Sequence, residues 1–540
     1  MASRHNGAVA VVQAIAKAGV RNVFTLSGNH IMAAFDAALD AGIRLIHTRH
    51  EAAAVHMADA WGRLTGEPGV ALVTGGPGHA NAVGALYTAA MAESPVVLLS
   101  GHAPNSQLGK GAFQEMRQSG VAAPLVKAAH TSACADDLAA DFAAAFRLAR
   151  SGRAGPVHLS LPTDCLEGNV ALTNGPPADA FAKEPMPLAA DVAHAMLTRL
   201  RCAQRPLILA GPSFMTRAGQ AVARDLQSAA QIPVVGMESP RGVADPSLGR
   251  FVSMMAQANC VLLLGKRFDF TLEFGAAFDP RCEFLQIDAE AAEIERTGRA
   301  VAGRLSASAL AEPLAAAETL RWTTRPEPAG KSDWLEQVRA AISYRPPEWA
   351  TAKSSEPDRL HPLEVLRPLQ TVLDAHTNSV LISDGGEFGQ WAQGYLSAPT
   401  RITNGVAGAI GAALPFALSA RLARPGAPVI AVMGDGTFGF HPAEIDTAVR
   451  CKLPFVCVVG NDARWNAEYQ IQLRDYGRNR LYGCELLPTR YDRVATGFGG
   501  YGELVTSASE VGPAVQRAMQ SGLPACLNVM IEGLAAPTYN

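Results

Sequence analysis

Short apolar runs alternate along this chain with Ala-rich stretches of helical period, and turn residues separate the two. Ile43–His47, Gly155–Asp164, Arg205–Ser213, Asn259–Phe270 and Glu283–Ile294 each begin as a strand and end in a turn or helix start. The run from Val429 to Asp462 reads as a strand, a Gly434-Asp435-Gly436 turn, one amphipathic helix and a second strand ending in Asn461-Asp462. Alternation of this kind predicts an α/β protein of parallel sheets covered on both faces by helices. The polar, Pro-rich stretches Asn174–Pro187 and Thr323–Trp334 divide the chain into three doubly wound domains, placed at residues 1–173, 190–325 and 360–540.

Composition narrows the class. At 540 residues the chain is too long for one core, and 48% hydrophobic with 18% charged residues is ordinary globular usage. A net charge of −3 argues against nucleic acid or an anionic membrane as partner. No apolar run reaches the roughly 18–20 residues of a membrane span. The amphipathic N-terminus reads as a first helix, and nine scattered cysteines without a CxxC fit free thiols in a reducing cytoplasm.

The chemistry collects at strand ends. The Val429–Asp462 layout sets Asp435 and Asp462 at the carboxyl ends of neighbouring parallel strands. A hard ion such as Mg²⁺ takes one or two carboxylates plus phosphate oxygens, and glycines at a helix start let backbone amides approach a diphosphate. Glu51 stands where the strand Ile43–His47 gives way to a helix, and a glutamate there favours the helix dipole whatever else it does. Gly28-Asn29-His30 forms a strand-to-helix turn, and Phe113-Gln114 lies in a later loop.

Together these motifs resemble the thiamine-diphosphate (ThDP) family that contains acetohydroxyacid synthase, benzaldehyde lyase and the 2-hydroxyacyl-CoA lyases, over essentially the whole length. The resemblance implies three domains of the ThDP-enzyme fold: pyrimidine-binding, central and diphosphate-binding. It implies that Asp435 and Asp462 bind Mg²⁺ with the backbone carbonyl of Arg464, and that Gly434, Gly436 and Thr437 cradle the diphosphate. Asp462 stands where the family most often has Asn. Glu51 would hydrogen-bond the aminopyrimidine N1′, favouring the tautomer that takes a proton from the thiazolium. Ile410, in the Gly408–Pro415 element, would wedge between the cofactor's two rings, and the Gly408 carbonyl would meet its 4′-amino group. Gly385 and Gly386 would offer backbone donors, whereas Glu387, where relatives carry a Gln-His pair, is expected to turn away from the diphosphate. Asn29, His30, Phe113, Gln114, Trp465 and Tyr469 are the substrate-side residues, with His30 and Gln114 handling hydroxyl and carbonyl groups.

Lys266-Arg267-Phe268 keeps only part of the family's flavin-contacting element, so FAD is not expected. Leu272–Gly275 resembles the CoA-lyase branch, which leaves CoA or ADP binding open. The implied activity is that of a lyase or carboligase on 2-hydroxy ketones or 2-hydroxyacyl compounds. Acetolactate synthesis from pyruvate is the second reading, and a ThDP-binding protein without turnover the third. No GxGxxG follows a strand, which weighs against a dinucleotide-dependent dehydrogenase. The family places its cofactor between the first domain of one subunit and the third of another, implying a homodimer at least and usually a homotetramer, in the cytoplasm.

Overall fold

The computed structural model describes residues 5–171, 175–323 and 332–538. The sequence-derived boundaries at 173 and 325 both fall outside these residues. Three all-parallel sheets account for the strands. The first holds β1 (Asn22–Leu26), β2 (Arg44–His47), β3 (Gly69–Val73), β4 (Val96–His102), β5 (Ala129–Thr131) and β6 (Pro156–Pro162), in the order β2-β1-β3-β4-β6-β5. The second holds β7 (Pro206–Ala210), β8 (Val234–Gly236), β9 (Cys260–Leu264), β10 (Glu283–Asp288) and β11 (Leu305–Leu310), ordered β11-β10-β9-β7-β8. The third holds β12 (Val380–Ser383), β13 (Thr400–Thr403), β14 (Val429–Gly434), β15 (Val456–Asn461), β16 (Tyr501–Val505) and β17 (Ala525–Met530), ordered β13-β12-β14-β15-β17-β16.

Central strands such as β3, β7 and β9 are buried at every position, which is why they read as unbroken apolar runs. Helices Gly7–Lys17, Met32–Asp40 and Leu138–Arg150 pack on one face of the first sheet around Val70, Leu72, Val97 and Leu99. Each such side chain contributes about 1.5–3 kcal/mol on burial. The chain forms two compact units, Met1–Pro185 and Met186–Asn540, the second containing both later sheets.

Between β14 and β15 the expected turn and helix follow in order, the turn at Asp435–Phe438 and the helix at Glu444–Cys451. Pro442 lacks an amide proton and disfavours helical backbone at the residue before it, so the helix starts beyond it.

Candidate active site

In the first unit the candidate residues gather at the carboxyl ends of β1 to β4. Glu51 opens the helix Glu51–Thr65, whose N-cap is His50, and its carboxylate is buried. Glu51 Oε2 accepts a hydrogen bond from Asn81 Nδ2 at 3.0 Å. Its other oxygen faces Gly78, where an added Cβ would come within 3.3 Å of it and 2.7 Å of Thr74 Cγ2. Thr74 also reaches His30, its hydroxyl standing 3.2 Å from Nδ1. His30 is buried and stacks on the exposed Phe113 ring, centroids 5.9 Å apart. Burial pushes the His30 imidazole below its ordinary value of 6.5, and a hydrogen bond with the Phe113 backbone opposes the shift. Gln114 has a left-handed backbone, φ 55°. It crowds Gly76, where a Cβ would meet Gln114 Cβ at 2.7 Å. Glu51, Thr74, His30, Phe113 and Gln114 thus form one neighbourhood, whereas Asn29 is exposed at its rim.

Two residues here carry no sequence signal of their own. Asn81 matters only because helix Pro77–Met91 packs beside Glu51. Gln118 is buried and bridges three elements: its Oε1 accepts from Gly76 N at 2.9 Å, and its Nε2 donates to Gly101 O and Ser160 Oγ, both at 3.1 Å.

In the second unit the third sheet presents a contrasting cluster. Asp435 begins the turn after β14, and Asp462 follows β15, the adjacent strand. Both carboxyl groups are buried and close enough to interact directly. Asp435 Oδ2 has no hydrogen-bond partner among the described residues. Burial pushes both acids well above the usual carboxylate range, and the charge of Asp435 pushes Asp462 further, against the pull of Arg464. Arg464 N donates to Asp462 Oδ1 at 3.1 Å, and the guanidinium lies 4.4 Å over the Tyr469 ring. Thr437 Oγ1 donates to Gly434 O at 2.9 Å. Gly436 has no room for a side chain, because a Cβ would stand 2.7 Å from the Trp465 ring.

The glycine turns are joined by a residue not singled out in the sequence. Asp384 accepts from Gly385 N at 2.7 Å, from Gly411 N at 3.1 Å and from Ala413 N at 3.1 Å. Burial pushes its carboxyl up to about 6 while these amides pull it back. Ile410 is half-buried, and a Cβ on Gly385 would meet it at 2.6 Å. Gly386 and Gly408 take positive φ, 77° and 67°. Glu387 is buried, engaged by the Ala536 amide and by Arg241 at 3.5 Å. Lys266 Nζ is closed off by Thr271 Oγ1 at 2.5 Å and Asp269 at 3.6 Å.

Facing carboxylates with an orphan oxygen are a donor set that suits a hard divalent cation. Among the described residues no group of three or more His, Cys, Asp or Glu side chains is arranged to hold a metal. A cation here therefore needs further oxygen ligands from the backbone or from a bound phosphate. The open space at Gly386 and Gly434, where an added Cβ would meet nothing closer than 4.0 Å, suits close approach of a diphosphate.

Comparison with known proteins accounts for this arrangement. Residues 5–121 match the N-terminal TPP binding domain of thiamine pyrophosphate enzymes, residues 193–312 the central domain, and residues 384–529 the C-terminal TPP binding domain. A probable acetolactate synthase of Mycobacterium bovis is 32% identical, the alignment covering 97% of this chain and 95% of that protein. Human 2-hydroxyacyl-CoA lyase 2 is 30% identical over 98% of this chain and 90% of its own length. An acetolactate synthase of Bacillus subtilis is 29% identical, with 98% and 94% covered. No helix among the described residues is long and apolar enough to cross a membrane. The chain belongs to the thiamine pyrophosphate enzyme family, as a ThDP-dependent enzyme related to acetolactate synthases and 2-hydroxyacyl-CoA lyases.

Proposed function

We propose that the protein is a Mg²⁺-dependent lyase/carboligase that breaks or forms a carbon–carbon bond next to the carbonyl of a 2-hydroxy ketone or 2-hydroxyacyl compound. The observation that carries this reading is the neighbourhood of Glu51, His30 and Gln114, joined through Thr74 and the turn Gly76–Gly78. ThDP, when bound, supplies the nucleophilic carbon and the electron sink for the bond that is broken. Glu51, fixed by Asn81, has a second carboxylate oxygen free to hold the cofactor's pyrimidine and share a proton with it. Burial lowers the His30 imidazole and Thr74 holds its Nδ1, which suits the ring to exchange a proton with the substrate hydroxyl. Gln114 supplies an amide to the substrate carbonyl, and the exposed Phe113 ring covers the same side.

Asp435, Asp462 and the Arg464 carbonyl hold the metal in this reading. Gly385, Gly386, Gly434, Gly436 and Thr437 contact the diphosphate, Ile410 and Gly408 shape the ring-binding part, and Trp465 and Tyr469 border the substrate. Residues 1–173, 190–325 and 360–540 serve as pyrimidine, central and diphosphate domains. Glu51 of one subunit works with Asp435 of another, so the enzyme is at least a homodimer and is cytoplasmic. The 32% identity to a probable acetolactate synthase favours decarboxylating condensation of pyruvate as the second reading.

A mass-spectrometric product screen with ThDP and Mg²⁺, offering pyruvate, a benzoin and a 2-hydroxyacyl-CoA, tests the reading. Cleavage of the benzoin or the acyl-CoA is the expected outcome. Turnover of pyruvate alone selects the second reading, and no turnover of any of the three rejects both. Dilution should abolish activity in step with dissociation seen by light scattering, and an active monomer would exclude the shared site.

A further inference from the structure

Glu387 occupies the first turn of the helix Gly386–Tyr395, directly after the glycines that this reading places on the diphosphate. A buried carboxylate needs partners, and those of Glu387 come from far along the chain. Its Oε2 accepts the Ala536 amide, and its Oε1 lies 3.5 Å from the Arg241 guanidinium. Ala536 belongs to the segment that leaves β17, which is fastened at each step before it arrives. The Glu532 carboxylate accepts from Ser354 Oγ at 3.0 Å, Ser355 N at 3.0 Å and Ser355 Oγ at 2.7 Å. Gly533 O accepts from Gln470 Nε2, and Leu534 O from Asn466 Nδ2, both at 3.0 Å. Gly533 is pressed against the metal turn: a Cβ there would stand 2.7 Å from Arg464 Nη1 and 3.4 Å from Asp462 Oδ2.

We propose that Glu532–Ala536 is a fixed strap across the turn that presents Asp462, and that Glu387 is the positioning residue that anchors it. The strap joins two elements that meet the same ligand, the Asp462–Arg464 turn and the Gly385–Glu387 turn. It thereby sets how well both grip a metal-bound diphosphate, which rests on the proposed ThDP–Mg²⁺ reading. Residues that orient metal ligands without touching the metal alter affinity by about 10–100-fold when removed. The charge of Glu387 is held by Arg241 and by the strap amide, so it is not directed at a phosphate.

The test is calorimetric titration of Mg²⁺ into full-length protein at fixed ThDP, and of ThDP at fixed Mg²⁺, alongside kcat at saturating cofactor. Wild type is compared with Glu387→Ala, Glu387→Gln, Gly533→Ala and a chain ending at Ile531. Glu387→Ala and the shortened chain should each weaken Mg²⁺ binding about 10–100-fold, with kcat at saturation near wild type. Glu387→Gln keeps an acceptor for the Ala536 amide but loses the charge facing Arg241, so it should fall between. Combining Glu387→Ala with the shortening should add nothing, since both remove one device. Additive penalties, or wild-type Mg²⁺ affinity in Glu387→Ala, would overturn the proposal. If circular dichroism shows that Glu387→Ala or the shortened chain does not fold, Gly533→Ala decides, because it leaves Glu387 intact and crowds Arg464, Asp462 and Asn466 where the strap crosses them. Unchanged Mg²⁺ affinity in that variant rejects the strap. A wild type that binds no ThDP in the presence of Mg²⁺ rejects the proposed function, whereas a wild type that binds beside variants that bind equally rejects the strap alone.

Discussion

The first and third sheets share one strand permutation, β2-β1-β3-β4-β6-β5 against β13-β12-β14-β15-β17-β16, yet load corresponding strand ends with opposite chemistry. After β1 the first sheet has Gly28–His30, where the third has Gly385-Gly386 after β12. After β3 it has Thr74–Gly78, where the third has Asp435–Thr437 after β14. After β2 comes Glu51, where the third has the loop of Gly408 and Ile410 after β13. The first set has its protein partners in place: Glu51 has Asn81, and His30 has Thr74. The second set has two buried acids raised by burial, Asp462 further by the charge of Asp435, and one carries an oxygen without a hydrogen-bond partner among the described residues. A doubly wound sheet binds at its carboxyl edge in either case, and the residues in the turns decide what is bound. On the proposed reading, one edge handles protons and the other, with its two facing acids, holds a cation.

The comparison breaks most visibly at Glu51. Replacing it by Gln should cut kcat by about 10²–10⁴-fold while calorimetry still registers ThDP and Mg²⁺ binding. An equal loss of binding would place Glu51 among the anchoring residues instead. Asp435→Ala should do the converse, weakening Mg²⁺ binding by at least about 10–100-fold as measured by calorimetry.

A pH difference between the two edges comes next. Because the folded-state values of Asp435 and Asp462 lie above the ordinary 3.8, the native chain keeps protons that the unfolded chain has released. Metal-free protein should therefore lose stability as pH rises above about 4 through the raised values, and its melting temperature should be lower at pH 8 than at pH 5. Saturating Mg²⁺ should flatten that dependence, and Asp462→Asn should flatten it without metal. A melting temperature independent of pH in metal-free wild type would show that the pair's values are not raised in the folded state. The smallest effect is expected at Ala463, which holds φ 59° in the metal turn. Glycine there should stabilise by roughly 1 kcal/mol in a denaturant melt and leave Mg²⁺ affinity in place.

Legibility followed the range of the interaction. β14, β15 and the Asp435 turn could be read directly, since strands buried on both faces are continuous apolar runs and their punctuation is local. The helix that follows that turn was equally legible, and Pro442 explains why it starts at Glu444 and does not run on from Asp435. Asp384 was passed over. Its local text is Ser-Asp-Gly-Gly, and the amides of Gly411 and Ala413 that it holds come from a distant loop. Glu387 was expected to avoid the diphosphate on electrostatic grounds, but nothing near it in sequence names the Ala536 amide, 149 residues away.

The sequence by itself determined the parallel α/β architecture, the likeness to ThDP enzymes and the identity of the acids and glycines at the strand ends. These depend on hydrophobic period and on turn chemistry, both written within a few residues. Only the tertiary structure decided which of those groups face one another. It set Asn81 against Glu51, Thr74 against His30, the amides of Gly411 and Ala413 against Asp384, and the C-terminal segment against Glu387. Such pairings depend on the register of strands and the packing of helices far apart in the chain, and burial then converts each pairing into charge, affinity and reactivity.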